Sequence, residues 1–150
     1  MRVSTRGRYA LRAMMQLALD EHDGPVKLMQ IAARQGVSVD YLEQLLRRLR
    51  KAGLARSVRG PRGGYRLARS SEAISVWEIL AAVEQDVAPV HCVDELAGRR
   101  ASRKPCPRRN GCPARDIWAG LSQVIQEYLR GRSLRELAAK HDKAGAMFEI

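Results

Sequence analysis

Aromatic residues are scarce in this chain, with one Phe, two Trp and four Tyr in 150 residues. Leu, Ile, Val, Ala and Met must therefore supply the core. No apolar run reaches the roughly 18 residues that a membrane-spanning helix requires, so a membrane partner is not expected. Cysteine is held to three residues, an odd number, which argues against a framework of paired disulfides. The start, MRVSTRGRYALRAMMQLALDEHDG, lacks both a continuous apolar segment and a small-residue cleavage site. It reads as mature protein, and the expected location is cytoplasmic. Histidine is equally sparse, and His22, His91 and His141 lie far apart. With no nucleophile–base constellation in sight, the chain is not read as an enzyme.

Acidic residues are also in deficit. The chain carries 27 Lys and Arg against 16 Asp and Glu, a net charge of +11. The imbalance is uneven: residues 1–66 hold fourteen basic residues against five acids, and residues 95–115 hold seven against one. A first block this basic points to a polyanion, and a composition 45% hydrophobic and 29% charged is that of a folded protein.

Hydrophobic spacing predicts a helix over 5–20, with Ala10, Ala13, Met14, Leu17 and Ala18 on one side and Gly24-Pro25 beyond its end. A short helix follows over 28–35, then the tight turn Gln35-Gly36-Val37-Ser38, with Ser38 as N-cap. The third helix, 39–52, carries Leu42, Leu45, Leu46 and Leu49 at i, i+3, i+4 and i+7 and stops at Gly53. Strands are expected over 54–58 and 65–68, joined by the turn-forming RGPRGG. Ser75-Val-Trp-Glu78 is a capping box that opens a helix running to about Gln85. After a loop over 86–112, Pro113 is placed as the first residue of a long helix ending at Gly131. Its stripe is Ile117, Leu121, Val124, Ile125 and Tyr128. Ser133-Leu-Arg-Glu136 opens a short last helix.

Helix, turn, helix and hairpin in this order define a mainly α fold, a winged helix-turn-helix with a two-stranded wing, plus a long C-terminal dimerisation helix. The expected organisation is a DNA-binding domain over 1–86, a cysteine-containing sensor loop over 87–112, a dimerisation helix and short terminal helix over 113–142, and a tail over 143–150.

The leucine stripe of the third helix leaves Asp40, Glu43, Gln44, Arg47, Arg48 and Lys51 facing outward. In a helix-turn-helix the early residues reach base edges and the later basic ones reach phosphates. Gln can pair with adenine, and Glu can accept from cytosine N4. Ser38 stands at the same end. In the hairpin tip, Arg59-Gly60-Pro61-Arg62-Gly63-Gly64-Tyr65, glycines let the backbone approach a phosphate wall, and Arg59 suits a narrow minor groove. Gly60 and Arg62 belong to the same contact. The alternatives are an ordinary amphipathic helix and a tight turn with incidental arginines.

The segments RYALRAM, QGVSVDYLEQLLRRLRKAGL and SVRGPRGGYRLA resemble the Rrf-two family of winged-helix regulators, the group that includes IscR, NsrR and CymR. The resemblance covers residues 1 to about 90. It implies a homodimeric transcription regulator, a repressor, on an imperfect palindrome of double-stranded DNA. It also implies that Tyr41, Glu43 and Gln44 sit at the reading end of the third helix, with Arg59 in the minor groove. Asp40 stands where a serine is usual in IscR.

Cys92, Cys106 and Cys112 are spaced C-x13-C-x5-C. Thiolates in a loop can hold an iron–sulfur cluster, act as a redox switch, bind zinc, or be inert. The spacing lacks the close CxxC pairs of zinc sites. Adjacent prolines stiffen the backbone beside two of the sulfurs, and the surrounding positive charge favours thiolates. Family members with three cysteines in this loop carry a cluster, so the resemblance implies an iron–sulfur cluster on Cys92, Cys106 and Cys112, of the 2Fe–2S rather than the 4Fe–4S kind. The first gap is about eight residues longer than is usual there. Arg115 stands where IscR has a histidine ligand, and Arg8 and Arg12 occupy the positions of partner-subunit ligands in related sensors. His91, Asp94, Glu95 and Asp116 are the nearby substitutes. A thiol-based or partner-protein-controlled regulator of the same fold, without a cluster, is the alternative.

Overall fold

Six α-helices and two β-strands follow one another among the described residues: α1 (Thr5–Leu19), α2 (Leu28–Gln35), α3 (Val39–Lys51), β1 (Ala55–Val58), β2 (Gly64–Leu67), α4 (Val76–Val83), α5 (Arg115–Arg130) and α6 (Leu134–Ala144). They come from a computed structural model that describes residues 3–84, 87–93, 106–108 and 110–144. The fold is the expected mainly helical winged helix-turn-helix.

Local chemistry sets the helix ends. The Ser4 hydroxyl accepts the Gly7 N–H at 3.4 Å and caps α1. Gly36, at φ +63°, closes α2 in the left-handed conformation, and two residues later Ser38 caps α3 by accepting the Tyr41 N–H at 3.3 Å. The short turn between these two caps fixes the angle at which α3 leaves α2. Leu42, Leu45, Leu46 and Leu49 are all at most 2% exposed, so the whole stripe is spent on the core. At about 2 kcal/mol per buried leucine, this one face anchors α3 firmly enough to free its opposite face for other work.

β1 and β2 pair antiparallel, with Ala55 opposite Leu67, Arg56 opposite Arg66, Ser57 opposite Tyr65 and Val58 opposite Gly64. A two-stranded ribbon is marginal by itself. Here it is tied down by Val26 and Tyr65, which exchange two backbone hydrogen bonds of 2.8 Å. Gly64 has φ +157° and lies so close to the Val26 carbonyl that any Cβ would overlap it.

The core gathers Met14 and Leu17 of α1, Ile31 of α2, the α3 leucines, Ile74, Ile79 of α4 and Leu134 of α6. α6 thus returns to the same core as α1 and α3. The Leu134 N–H donates to the Ile74 carbonyl (2.8 Å) and the Val76 N–H to the Arg132 carbonyl (2.9 Å). At the start of α4 the capping box is complete: the Ser75 hydroxyl accepts the Glu78 N–H, and the Glu78 carboxylate accepts the Ser75 N–H at 2.9 Å.

Three boundaries differ from the sequence reading. The long helix starts at Arg115 and not at Pro113, because residues 112–114 form a turn in which the Cys112 carbonyl accepts the Arg115 N–H at 3.1 Å. α4 ends at Val83, with an extended Glu84 as its C-cap. The strands begin and end within a residue of expectation, and the last helix continues to Ala144. Most of the loop 86–112 and the tail beyond Ala144 lie outside the described residues.

Candidate DNA-binding face and cysteine cavity

Glu43, Gln44 and Arg47 stand exposed on the outer face of α3, with Ser38 and Asp40 exposed at its start. Tyr41 differs. It is half-buried, its ring meeting the Tyr9 ring edge-on with centroids 6.1 Å apart, so it also packs α3 against α1. Arg48 has a second task too. Its Nη1 donates to the Val83 carbonyl at 3.2 Å, tying α3 to the end of α4. Arg59, Gly60 and Arg62 are exposed together at the hairpin tip, with Gly60 at φ +107°. The third helix and the wing tip therefore present the sequence-derived residues on the surface, as a helix-and-wing reader of duplex DNA requires.

Sequence reasoning passed over three residues beside this face. Arg50, Arg56 and Ser57 join Arg47 and Lys51 around an open cleft of about 680 Å³ between α3 and β1. Arg50 was within reach, since it lies three residues from Arg47 on a helix. Arg56 was not, because its position depends on strand register.

A buried carboxylate was also missed. Glu84 is 5% exposed and accepts hydrogen bonds from the Ser4 backbone N–H (2.8 Å) and the Ser4 hydroxyl (3.0 Å). It thus joins the end of α4, where the cysteine segment begins, to the N-terminus of α1. A carboxylate at that end also interacts favourably with the helix dipole. Gly7 is what makes room for it, since a Cβ there would overlap the Glu84 carboxylate.

Cys106 and Cys112 line one open cavity of about 840 Å³, together with Arg115 and Asp116. The Arg115 Nε is buried and has no hydrogen-bond partner among the described residues. Cys92 is half-buried in a single 3-10 turn, His91–Val93, that packs on α5, and it does not line the cavity. Among the described residues no group of three or more His, Cys, Asp and Glu side chains is assembled to hold a metal ion. Of the candidate fourth ligands, Asp116 is on the cavity wall and His91 is exposed in the 3-10 turn that carries Cys92, while Asp94 and Glu95 lie outside the described residues. Soft thiols beside an orphaned cationic N–H suit an anionic sulfide cluster in donor chemistry.

On α5 the buried side chains are polar, Ser122 and Gln126, whereas Ile117, Leu121, Val124 and Tyr128 are 43–69% exposed and Ile125 is half-buried. The apolar stripe faces away from its own chain. No helix of the described residues is long and apolar enough to cross a membrane.

Exposed recognition helix, wing and matching helical order define a winged helix-turn-helix transcription regulator. The profile of the Rrf2 family, described as an iron-dependent transcriptional regulator, matches residues 3–140, and the chain belongs to that family. It is 44% identical over 142 residues to a putative HTH-type transcriptional regulator ORF2 of Azotobacter vinelandii, covering 95% of this chain and 82% of the relative. It is 42% identical, with the same coverage, to the HTH-type transcriptional regulator IscR of Yersinia pseudotuberculosis. The structure of T. potens IscR superposes with a TM-score of 0.75 at 36% identity, covering 97% of this chain and 92% of the other. These relatives are transcription regulators and not enzymes.

Proposed function

We propose that this Rrf2-family regulator is a homodimeric repressor that binds an imperfect palindrome of double-stranded DNA under the control of an iron–sulfur cluster. Ser38, Tyr41, Glu43 and Gln44 form the reading end of α3, Arg47 and Arg48 meet phosphates, and Arg59, Gly60 and Arg62 enter the minor groove. The observation that carries this reading is the exposed, unpaired set of cations on α3 and the wing tip. Among the described residues Arg47, Arg59 and Arg62 form no ion pair, whereas Arg34, Arg69 and Arg135 elsewhere are matched with Asp20, Glu78 and Glu72. The outward stripe of α5 supports pairing with a second copy, which sets two third helices at a fixed spacing.

Cys92, Cys106 and Cys112 would hold the cluster, of the 2Fe–2S kind, next to Arg115 and Asp116. When bound it would supply a centre open to oxidants or nitric oxide. These three cysteines flank α5 and follow Glu84, so ordering them bears on how the dimer helix and the DNA-binding elements sit. The localisation that fits this function is cytoplasmic.

The sharing of one cavity by Cys106 and Cys112, with Cys92 outside it, favours a second reading: a cluster-free regulator in which these two thiols are the responsive pair. One experiment separates the two. The protein is reconstituted anaerobically with iron and sulfide, analysed for both and for visible absorption, and titrated with operator in holo and apo forms. The cluster reading expects a chromophore that is lost in Cys→Ala variants at each of the three positions, and different operator affinities for the two forms. No iron uptake, with thiol oxidation changing affinity, would establish the second reading. Arg59→Ala should weaken binding and relax A/T preference under the wing, and a parent-like variant would remove the minor-groove assignment.

A further inference from the structure

The cleft between α3 and β1 has no assigned role. We propose that it seats the sugar–phosphate strand that separates the major groove read by α3 from the minor groove entered by the wing, with Arg50, Lys51, Arg56 and Ser57 gripping it beside Arg47. This rests on the DNA-binding reading above and adds the path of the backbone to it.

Three observations converge. The first is topological. A protein that places one element in the major groove and the next in the adjacent minor groove must straddle the strand between them. Ser57 precedes Arg59 by two residues in an extended chain, about 7 Å, and Arg47 and Arg50 are one turn apart on α3. The strand thus has to pass over the cleft of about 680 Å³ that these elements frame.

The second is charge without compensation. Among the described residues none of the side chains of Arg47, Arg50, Lys51 or Arg56 makes an ion pair or hydrogen bond, although four other arginines of this chain (Arg34, Arg69, Arg132 and Arg135) are held by acids. The third is register. Arg56 lies directly opposite Arg66 across the hairpin. Like charges opposed on neighbouring strands are destabilising, and the pair is relieved when an anion sits against it. Guanidinium groups grip phosphate oxygens in bidentate fashion, and the Ser57 hydroxyl adds a neutral donor. Such contacts position the duplex and carry no base preference.

The test uses the full chain, a duplex selected by the parent protein from a randomised pool, and a scrambled duplex of equal length. Binding is followed by fluorescence anisotropy over a salt series. Arg50→Gln and Arg56→Gln each remove two contacts from the dimer–duplex complex, one per protomer, so each should lower the steepness of log affinity against log salt by about 1.8, or about thirtyfold in affinity near 0.15 M salt. The loss should be equal on both duplexes. Arg34→Gln, whose guanidinium is held by Asp20 and does not line the cleft, should leave the slope unchanged. Thermal melting guards against misfolding: without DNA, Arg56→Gln should melt at or above the parent, because the Arg56–Arg66 repulsion is removed.

Parent-like slopes in both cleft variants, with Arg59→Ala still impaired, would overturn the cleft assignment and leave the DNA-binding reading intact. Loss confined to the selected duplex would also overturn it, by making these residues base readers. Selective displacement of DNA by inorganic phosphate at constant ionic strength would reassign the cleft to a free anion. A parent protein with no salt-dependent DNA binding would end both readings.

Discussion

Replacing Gly7 by Ala sets two opposed effects against each other at the joint between α1 and α4. Gly7 is the third residue of α1, and Ala in a helix is favoured over Gly by up to about 1 kcal/mol. The new Cβ would overlap the Glu84 carboxylate and lie 3.1 Å from the Leu80 Cδ2. Glu84 is 5% exposed, so its carboxylate has little room to swing into solvent, and moving it strains the bonds from the Ser4 N–H and hydroxyl. Hydrogen bonds to charged groups contribute about 1.5–3 kcal/mol each, and crowding a packed site costs about 1–3 kcal/mol. Partial relaxation of the carboxylate leaves a net destabilisation of about 2 kcal/mol. In a chain of this size that lowers Tm by about 4–8 °C. The assay is a double-mutant cycle by thermal and urea unfolding of the parent, Gly7→Ala, Glu84→Ala and the double variant. With the carboxylate gone, Gly7→Ala should be neutral or stabilising by up to about 1 kcal/mol. A single variant as stable as the parent, or an equal cost in both backgrounds, would refute the steric account of this joint.

Two more outcomes follow from the geometry. Burial pushes the Glu78 carboxyl up, but the Ser75 N–H, the Arg69 guanidinium and the Ser75 hydroxyl outweigh it and hold the group below its ordinary value of 4.5. A folded-state pKa below the unfolded one stabilises the fold above about pH 4.5, and the contribution fades as pH falls through the folded value. Glu78→Gln should therefore lower Tm at pH 7 and approach the parent as pH is brought down through the folded value, and parallel Tm–pH curves would contradict this. On α5, Val124→Glu puts a charge into the outward apolar stripe; the proposed pairing with a second copy would bury it without a partner, at a cost of several kcal/mol. Sedimentation should show monomer and operator affinity should drop more than tenfold; a variant that stays dimeric moves the interface elsewhere.

Much of the fold was legible because its signals are local. The α3 leucines at helical spacing, Ser38 and Ser75 as caps and the glycine-rich hairpin tip all depend on residues within one or two turns of each other. The two caps form the hydrogen bonds their sequences imply. The exposed set on α3 was legible for the same reason, since burying the leucine stripe leaves only one direction for Glu43, Gln44 and Arg47. Cysteine spacing showed that a thiol site was available, but spacing cannot say which sulfurs share a cavity.

The sequence by itself thus determined the order of elements, the buried faces of α1 and α3 and the sign of the partner's charge, since periodicity, capping and net charge are properties of neighbouring or summed residues. Tertiary packing decided the rest. Strand register set Arg56 against Arg66 and opened the cleft beside α3, and the return of α6 to Ile74 closed the core. Glu84 became a clamp on α1 only because the chain brought it 80 residues back to Ser4, beside a glycine with no side chain to exclude it. Such meetings depend on which distant surfaces fit together, and no pattern of nearby residues encodes that fit.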